Sequence, residues 1–216
     1  MNNEVFAKVY SQSPRSLYYP EPSGWLVQLT AAHNVSQWRS LDIGCGDGRN
    51  SLLLASKGSF VTAIDISIEA LAKAAQLQAE NDVEGHRRTI WLCADAAGIR
   101  FPEGQFDLIV CSTVLDNLAR EKAETLVRSF EPWLRTGGFL YLSAFTTKDP
   151  SCAGSGSTLA ASETLASDRY FMEPGTLLKW TGSLEPIQSF EGITEDTSHG
   201  PSHFHGLERH LLRKSA

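Results

Sequence analysis

The sequence predicts an α/β fold: a mostly parallel sheet with helices on both faces, ending in an antiparallel C-terminal hairpin. Three observations carry that expectation. Short apolar runs alternate with helix-like segments from residue 38 to about 146, as strand–helix–strand units do. A turn with glycines at alternate positions, Gly44, Gly46 and Gly48, joins the first run to its helix. Polar residues then close successive runs at Asp65, at Asp95 and at Ser112 to Asn117.

Each element follows from its local pattern. Ser40 to Cys45 reads as the first strand and Arg49 to Lys57 as a helix stopped by Gly58. Phe60 to Ile64 is the second strand. Ser67 is placed to cap a helix whose apolar face is Ile68, Leu71, Ala72 and Ala75, spaced i, i+3, i+4, i+7. Ile90 to Ala94 forms a third strand. Phe106 to Cys111 forms a fourth, nearly continuously apolar, as a strand covered on both faces should be. Ala123, Leu126, Val127 and Phe130 repeat the helical spacing, with Pro132 near that helix's end, and Gly137-Gly138 turns the chain into a fifth strand, Phe139 to Phe145.

After Phe145 the character changes. Lys148 to Ser167 is rich in Gly, Ser and Ala and reads as a loop or loosely packed lid. Glu173 to Trp180 looks helical, with Pro174 in its first turn. Ile187 to Ile193 and Gly206 to Leu212 read as two strands joined by a polar, His-bearing link, which suggests the antiparallel edge hairpin. The expected organisation is one domain over 1–216: an N-terminal helical cap segment (1–37), a ligand-binding core (38–146), and a lid-like segment, helix and hairpin (147–216).

Composition narrows the function. The 216 residues are 42% hydrophobic and carry 19 basic against 25 acidic side chains, a net charge of −6. That balance lacks the basic surface a nucleic-acid binder needs and suits a small-molecule partner. Cys45, Cys93, Cys111 and Cys152 show no C-x-x-C spacing and read as buried thiols of a reducing compartment. The first residues hold no apolar core of signal-peptide length, and no run approaches the ~18 apolar residues of a membrane span. The expectation is a cytoplasmic protein with no membrane partner.

A glycine turn between strand and helix lets backbone approach a ligand and presents N–H groups at a helix start. Dinucleotide sites use G-x-G-x-x-G with an acid about 20 residues on for the ribose. Here the spacing is G-x-G-x-G, preceded by Asp42, and Asp65 closes the second strand. At this point the residues carry a resemblance. Leu41 to Gly48 (LDIGCGDG) resembles the first motif of class I S-adenosylmethionine-dependent methyltransferases. "GCGDGRNSLLLASKG" followed by "VTAIDIS", with "YYPEPSGWL" upstream and "GLERHLLRK" at the end, is similar to the tellurite-resistance methyltransferases.

The resemblance implies a Rossmann-like, mostly parallel seven-stranded sheet with a C-terminal hairpin, and S-adenosyl-L-methionine as cofactor with S-adenosyl-L-homocysteine as product. Carried over, the cofactor-binding residues are Asp42, Gly44, Cys45, Gly46, Asp65 and Ile66, with Asp95 and Ala96 toward the adenine. The backbone near Cys111 and Ser112 would meet the methionine ammonium. The narrower likeness implies a small-molecule acceptor, an oxyanion such as tellurite or a thiol-like compound.

The acceptor side is read from position. Arg49, Asn117 and Arg15 are candidate substrate-binding residues, and Asp116 is placed to act on the acceptor. Four of six histidines fall in the last 18 residues, and His199 and His205 are the candidate general bases. His203 reads as a hairpin-loop residue and His210 as structural. The spacing H-x-x-x-H-x-H with Glu195 and Asp196 is an alternative metal set, but it matches no strong motif and no metal is assigned. Two other functions stay open: a nicotinamide-dependent oxidoreductase, disfavoured by the glycine spacing and by Asp95, and a non-catalytic S-adenosylmethionine-binding protein.

Overall fold

The computed structural model describes residues 3–12, 21–80, 88–153, 169–196 and 202–215. Arg15, Tyr18, Tyr19 and His199 lie outside the described residues, as does most of the expected lid.

The elements in chain order are α1 (Asn3–Gln12), α2 (Gly24–Ala32), β1 (Arg39–Ile43), α3 (Arg49–Ser56), β2 (Phe60–Asp65), α4 (Ile68–Glu80), β3 (Thr89–Cys93), β4 (Phe106–Ser112), α5 (Arg120–Trp133), β5 (Leu134–Phe145), α6 (Thr176–Trp180), β6 (Glu185–Asp196) and β7 (His203–Arg213). They build one seven-stranded sheet in the order β3-β2-β1-β4-β5-β7-β6. Strands β1 to β5 pair in parallel, and β7 runs antiparallel to both β5 and β6. The expected seven-stranded sheet and its C-terminal hairpin are both present. Strand order reverses between β1 and β4, which opens a crevice at the carboxyl edge there.

Alternation along β4 divides the core between the two faces. Ile109 and Cys111 pack with Phe130, Trp133 and Trp180 on one side. Leu108 and Val110 pack with Leu26, Leu54 and Tyr141 on the other. Both faces are covered, so the nearly unbroken apolar run of β4 has its physical reason. Helix α5 buries Ala123, Leu126, Val127, Phe130 and Trp133, the face its spacing predicts.

Several expectations need correction. Helix α4 buries Ala70, Leu71, Ala74 and Gln78, not the predicted Ile68, Ala72 and Ala75; Ile68 is 58% exposed. A polar anchor turns the helix to that face. Gln78 accepts from Trp91 Nε1 at 3.0 Å and donates to Thr89 Oγ1 at 3.1 Å, tying α4 to edge strand β3. The cysteines divide: Cys45 and Cys111 are buried, whereas Cys93 on that edge strand and Cys152 are exposed. The strand after α5 begins at Leu134 rather than Phe139, with Gly137 (φ 79°) inside a register shift between Phe106 and Leu108 of its partner. Helix α6 begins only at Thr176, leaving Pro174 outside it. The hairpin strands run well past Ile193 and start before Gly206, so His203 and His205 belong to β7 and not to a loop.

Phe130 is fully buried between α5 and the sheet. Phe130→Ala should lower unfolding free energy by about 3–5 kcal/mol. Denaturant unfolding checks this, and a loss below 1 kcal/mol would show a looser core than the packing implies.

Candidate functional site

The crevice at the sheet's switch point is a cleft of about 850 Å³, its open mouth included. Its floor is the turn from β1 to α3, where Gly44, Gly46 and Gly48 all hold positive φ. At Gly44 the requirement is steric as well as conformational. A Cβ there would stand 2.2 Å from Val114 Cγ2, in a backbone region (φ 63°) that side chains rarely adopt. The bare turn faces the cleft with Cys45, Asp47, Arg49 and Asn50 beside it.

Two carboxylates hold this turn. Asp42, 2% exposed at the end of β1, accepts from Ser51 Oγ at 2.6 Å and so clamps the first turn of α3 from beneath. Burial drives its pKa up to about 7, against the lowering effects of the Ser51 bond and the Arg49 charge. Asp65, at the end of β2, accepts from Gly46 N at 2.8 Å through one oxygen and from Ser67 N at 2.9 Å through the other. Burial raises its pKa too, and the backbone donors only partly offset this. Asp65 lines the cleft, so it joins the glycine turn to the ligand space.

The remaining walls come from three strand ends and one helix. Ile64 and Ile66 flank Asp65, Ala94 and Ala96 follow β3, and Ser112, Thr113, Val114 and Asn117 follow β4. Thr113 sits at φ 54°, unusual for a β-branched residue; its N–H donates to Ser143 O and its hydroxyl to Ser112 O. Phe6 and Tyr10 of α1 close the mouth. A Cβ on Gly46 would come within 2.5 Å of the Tyr10 hydroxyl, so that ring stands directly over the turn.

Of the sequence-predicted residues, the structure brings Gly44, Cys45, Gly46, Asp65, Ile66, Ala96, Ser112, Arg49 and Asn117 into this one cleft. Others stand apart from its lining. Asp42 works from below. Cys111 is buried within the sheet, with burial pushing its thiol above the ordinary range. Asp95 is exposed and accepts from Ala97 N at 2.9 Å, shaping the turn after β3. Asp116 is fully buried, 3.7 Å from Arg169 Nε, and its backbone accepts from Tyr170 N. Burial raises its pKa while Arg169 opposes that. Asp116 therefore shapes the loop behind Asn117 and does not face the cleft. Phe6, Asp47, Asn50 and Thr113 are additions. Asp47 and Asn50 flank the glycines in sequence and Thr113 lies in the polar stretch that closes β4, but nothing in the local pattern of Phe6 announces the cleft.

His205 also lies away from the cleft lining. Its Nδ1 is 2.9 Å from Asp149 Oδ2 and its Nε2 is 3.0 Å from His203 Nε2. Burial alone would raise the pKa of Asp149, but hydrogen bonds from His205 and Ser151 outweigh it and hold the carboxyl below its usual range. His210 fits its structural reading. It is buried, with Nε2 2.7 Å from Glu208 Oε1 and Nδ1 2.9 Å from Ser189 Oγ.

Residues 41–138 match the family described as methyltransferase domain. The probable S-adenosyl-L-methionine-dependent methyltransferase TehB of Haemophilus influenzae is 30% identical over 125 residues, 57% of this chain and 42% of that protein. A ubiquinone biosynthesis O-methyltransferase of Pseudomonas putida is 35% identical over 103 residues, 48% of this chain and 42% of that protein. The matched regions thus span less than half the length of these curated relatives. Among solved structures, the crystal structure of TehB from Haemophilus influenzae superposes with a TM-score of 0.70 at 21% identity, covering 97% of this chain and 66% of that one. A structure from work on converting a disulfide bond into a thioacetal group during echinomycin biosynthesis superposes with a TM-score of 0.72 at 19% identity, covering 100% of this chain and 92% of that one.

The raised Asp42 pKa predicts a pH signature. The folded state holds this proton more tightly than the unfolded chain, whose Asp ionises near 3.8. Through this group, stability therefore falls as pH rises from about 4 to about 7. Asp42→Asn removes the titration, so its stability relative to the parent should improve over that interval, by a few kcal/mol at most. Unfolding measured for both proteins at pH 4, 5.5 and 7.5 checks this; a pH-independent difference would count against a buried, neutral Asp42.

Proposed function

We propose, from the class I methyltransferase domain that residues 41–138 form, that the protein moves a methyl group from S-adenosylmethionine to a small-molecule acceptor. The observation that carries this reading is the Asp65 carboxylate. It lies at the end of β2, bonded to the N–H of Gly46, in the same cleft as the bare glycine turn. The cofactor fits that arrangement: a carboxylate suits a ribose diol, Ile66, Ala94 and Ala96 offer a flat apolar wall for a purine, and the glycine turn leaves room for the amino-acid end.

The bound cofactor supplies a methyl group already activated on a sulfonium. What remains for the chain is alignment and exclusion of water. Phe6 and Tyr10 line the mouth, Asp65 holds the turn's backbone through Gly46 N, and Asp42 holds the start of the following helix through Ser51. Arg49 and Asn117 line the cleft; we assign them to its acceptor side, where the Arg49 guanidinium would meet an anionic acceptor. An oxyanion such as tellurite, or a small thiol-like compound, is the acceptor class this reading favours. Asp116, buried behind Asn117, is a positioning residue.

Labelled-methyl transfer across a panel of oxyanions, thiols, phenols and small amines tests the acceptor. Turnover confined to phenols would replace the oxyanion or thiol reading, and none with any acceptor would remove the transferase reading. Asp65→Asn keeps an acceptor for Gly46 N but loses the charge toward the ribose. By calorimetry it should weaken S-adenosylmethionine binding about 10- to 150-fold, the loss of a charge-assisted pair. Tighter binding of NAD than of S-adenosylmethionine by the parent would overturn the cofactor reading.

A further inference from the structure

The β6–β7 hairpin places three metal-type donors together outside the cleft. His203 and His205 stand two residues apart in β7 and therefore share one face of the strand. Asp196, the last residue of β6, pairs directly with His203 across the ladder. Register alone thus gathers two imidazoles and a carboxylate. Their donor atoms all lie within 4.8 Å of one another: His205 Nε2 is 3.0 Å from His203 Nε2 and 3.7 Å from Asp196 Oδ2. Donors bound to one ion at about 2.0–2.2 Å stand roughly 3.3 Å apart in a tetrahedral shell, so these separations bracket the required one.

The outer partner is built as well. Asp149 is 3% exposed and bonded to Ser151 N, to the Ser151 hydroxyl and to Gly206 N. Its Oδ2 also faces His205 Nδ1 at 2.9 Å. A carboxylate only accepts, so the proton of a neutral His205 sits on Nδ1 and the Nε2 lone pair points at His203 and Asp196. Carboxylate–imidazole–metal order is the arrangement that orients metal-binding histidines and strengthens them as ligands. Asp149 is itself locked against β7, because a Cβ on Gly206 would stand 2.2 Å from Asp149 N.

We infer that Asp196, His203 and His205 form a site for a zinc-type divalent cation, with Asp149 as the outer-shell partner of His205. Two imidazoles and one carboxylate are ligands of the borderline-soft class that zinc takes, with a fourth position left for water or another ligand. This assignment goes beyond methyl transfer and does not depend on it. Among described residues, the site lies at the cleft's edge of the sheet. β7 runs antiparallel to β5, so its beginning lies past the carboxyl end of β5. The Phe145 ring, 4.8 Å from the His205 ring and 4.8 Å from the Arg169 guanidinium, connects it to the pair of Arg169 and Asp116.

The test is zinc titration of the full chain after removal of metal by chelator, followed by calorimetry and by competition with a chromophoric chelator. One zinc per chain is expected, with affinity falling as pH drops through the imidazole range, because the ligands must be neutral. Asp149→Asn should weaken binding about 10- to 100-fold, and His203→Ala and Asp196→Asn should weaken it further. His210→Gln and Asp65→Asn should leave it unchanged. Folding of each variant is checked by circular dichroism. The inference fails if the parent binds no stoichiometric zinc, or if folded Asp196→Asn and His203→Ala proteins bind it as tightly as the parent. A parent protein that binds zinc but not S-adenosylmethionine would overturn the proposed function and leave this site standing.

Discussion

A turn of bare backbone has to be held still against a cleft, and two carboxylates at neighbouring strand ends, one buried and one half-buried, do this. Asp42 grips the start of α3 through Ser51, and Asp65 grips the turn through Gly46 N. Glycine makes close approach possible but supplies no rigidity of its own. The rigidity comes from β1 and β2, whose parallel register, Asp42 beside Ala63 and Ile43 beside Ile64, brings the two carboxylates level with the turn. Burial works against ionisation of both, so part of their hydrogen-bonding strength offsets a desolvation cost. Ligand-facing positions commonly carry such a cost.

The same edge of the sheet supplies the cleft wall beyond β4. Beyond β4 the chain passes Thr113 in a left-handed conformation, held by Ser143 and by Ser112, and then turns so that Asn117 enters the cleft. Asp116 is fully buried beside it, its Oδ2 accepting from Asn117 Nδ2 at 3.4 Å and standing 3.7 Å from Arg169 Nε. One short turn therefore puts one of two adjacent polar residues in the cleft lining and buries the other. Further along, β7 reverses direction and brings His203 and His205 to this edge, where Asp149 orients one of them. Cleft and histidine cluster are thus separate centres on one edge of one sheet.

Much of this was legible along the chain, because strand ends and their periodicity are local properties. The alternation of apolar runs specified the strands of the sheet. The glycine spacing with Asp65 located the cleft, since a parallel sheet aligns every strand end on one edge. The composition of α5 predicted its buried face for the same reason: a 3.6-residue repeat needs no partner to be read. Position along the chain also limited Asp65, Ile66, Ala96, Ser112 and Asn117 to that edge before any contact was known.

Tertiary structure decided what depends on residues far apart in sequence. Helix α4 rotated away from its apolar spacing because Gln78 meets Thr89 and Trp91 of a neighbouring strand. Cys93 is exposed because β3 is an edge, which no local pattern states. Asp95 and Asp116 have the spacing of cleft residues, yet a single turn in each loop aims them elsewhere. Phe6 and Tyr10 reach the cleft only because α1 packs beside α4. The fate of the histidines shows the same limit. Whether His205 faces an acceptor or an aspartate depends on the register of β7 against β6 and on a carboxylate 56 residues away. Sequence by itself determined the sheet, its ligand edge and the glycine turn, whose causes are local. The direction each loop residue faces was decided by packing between distant segments.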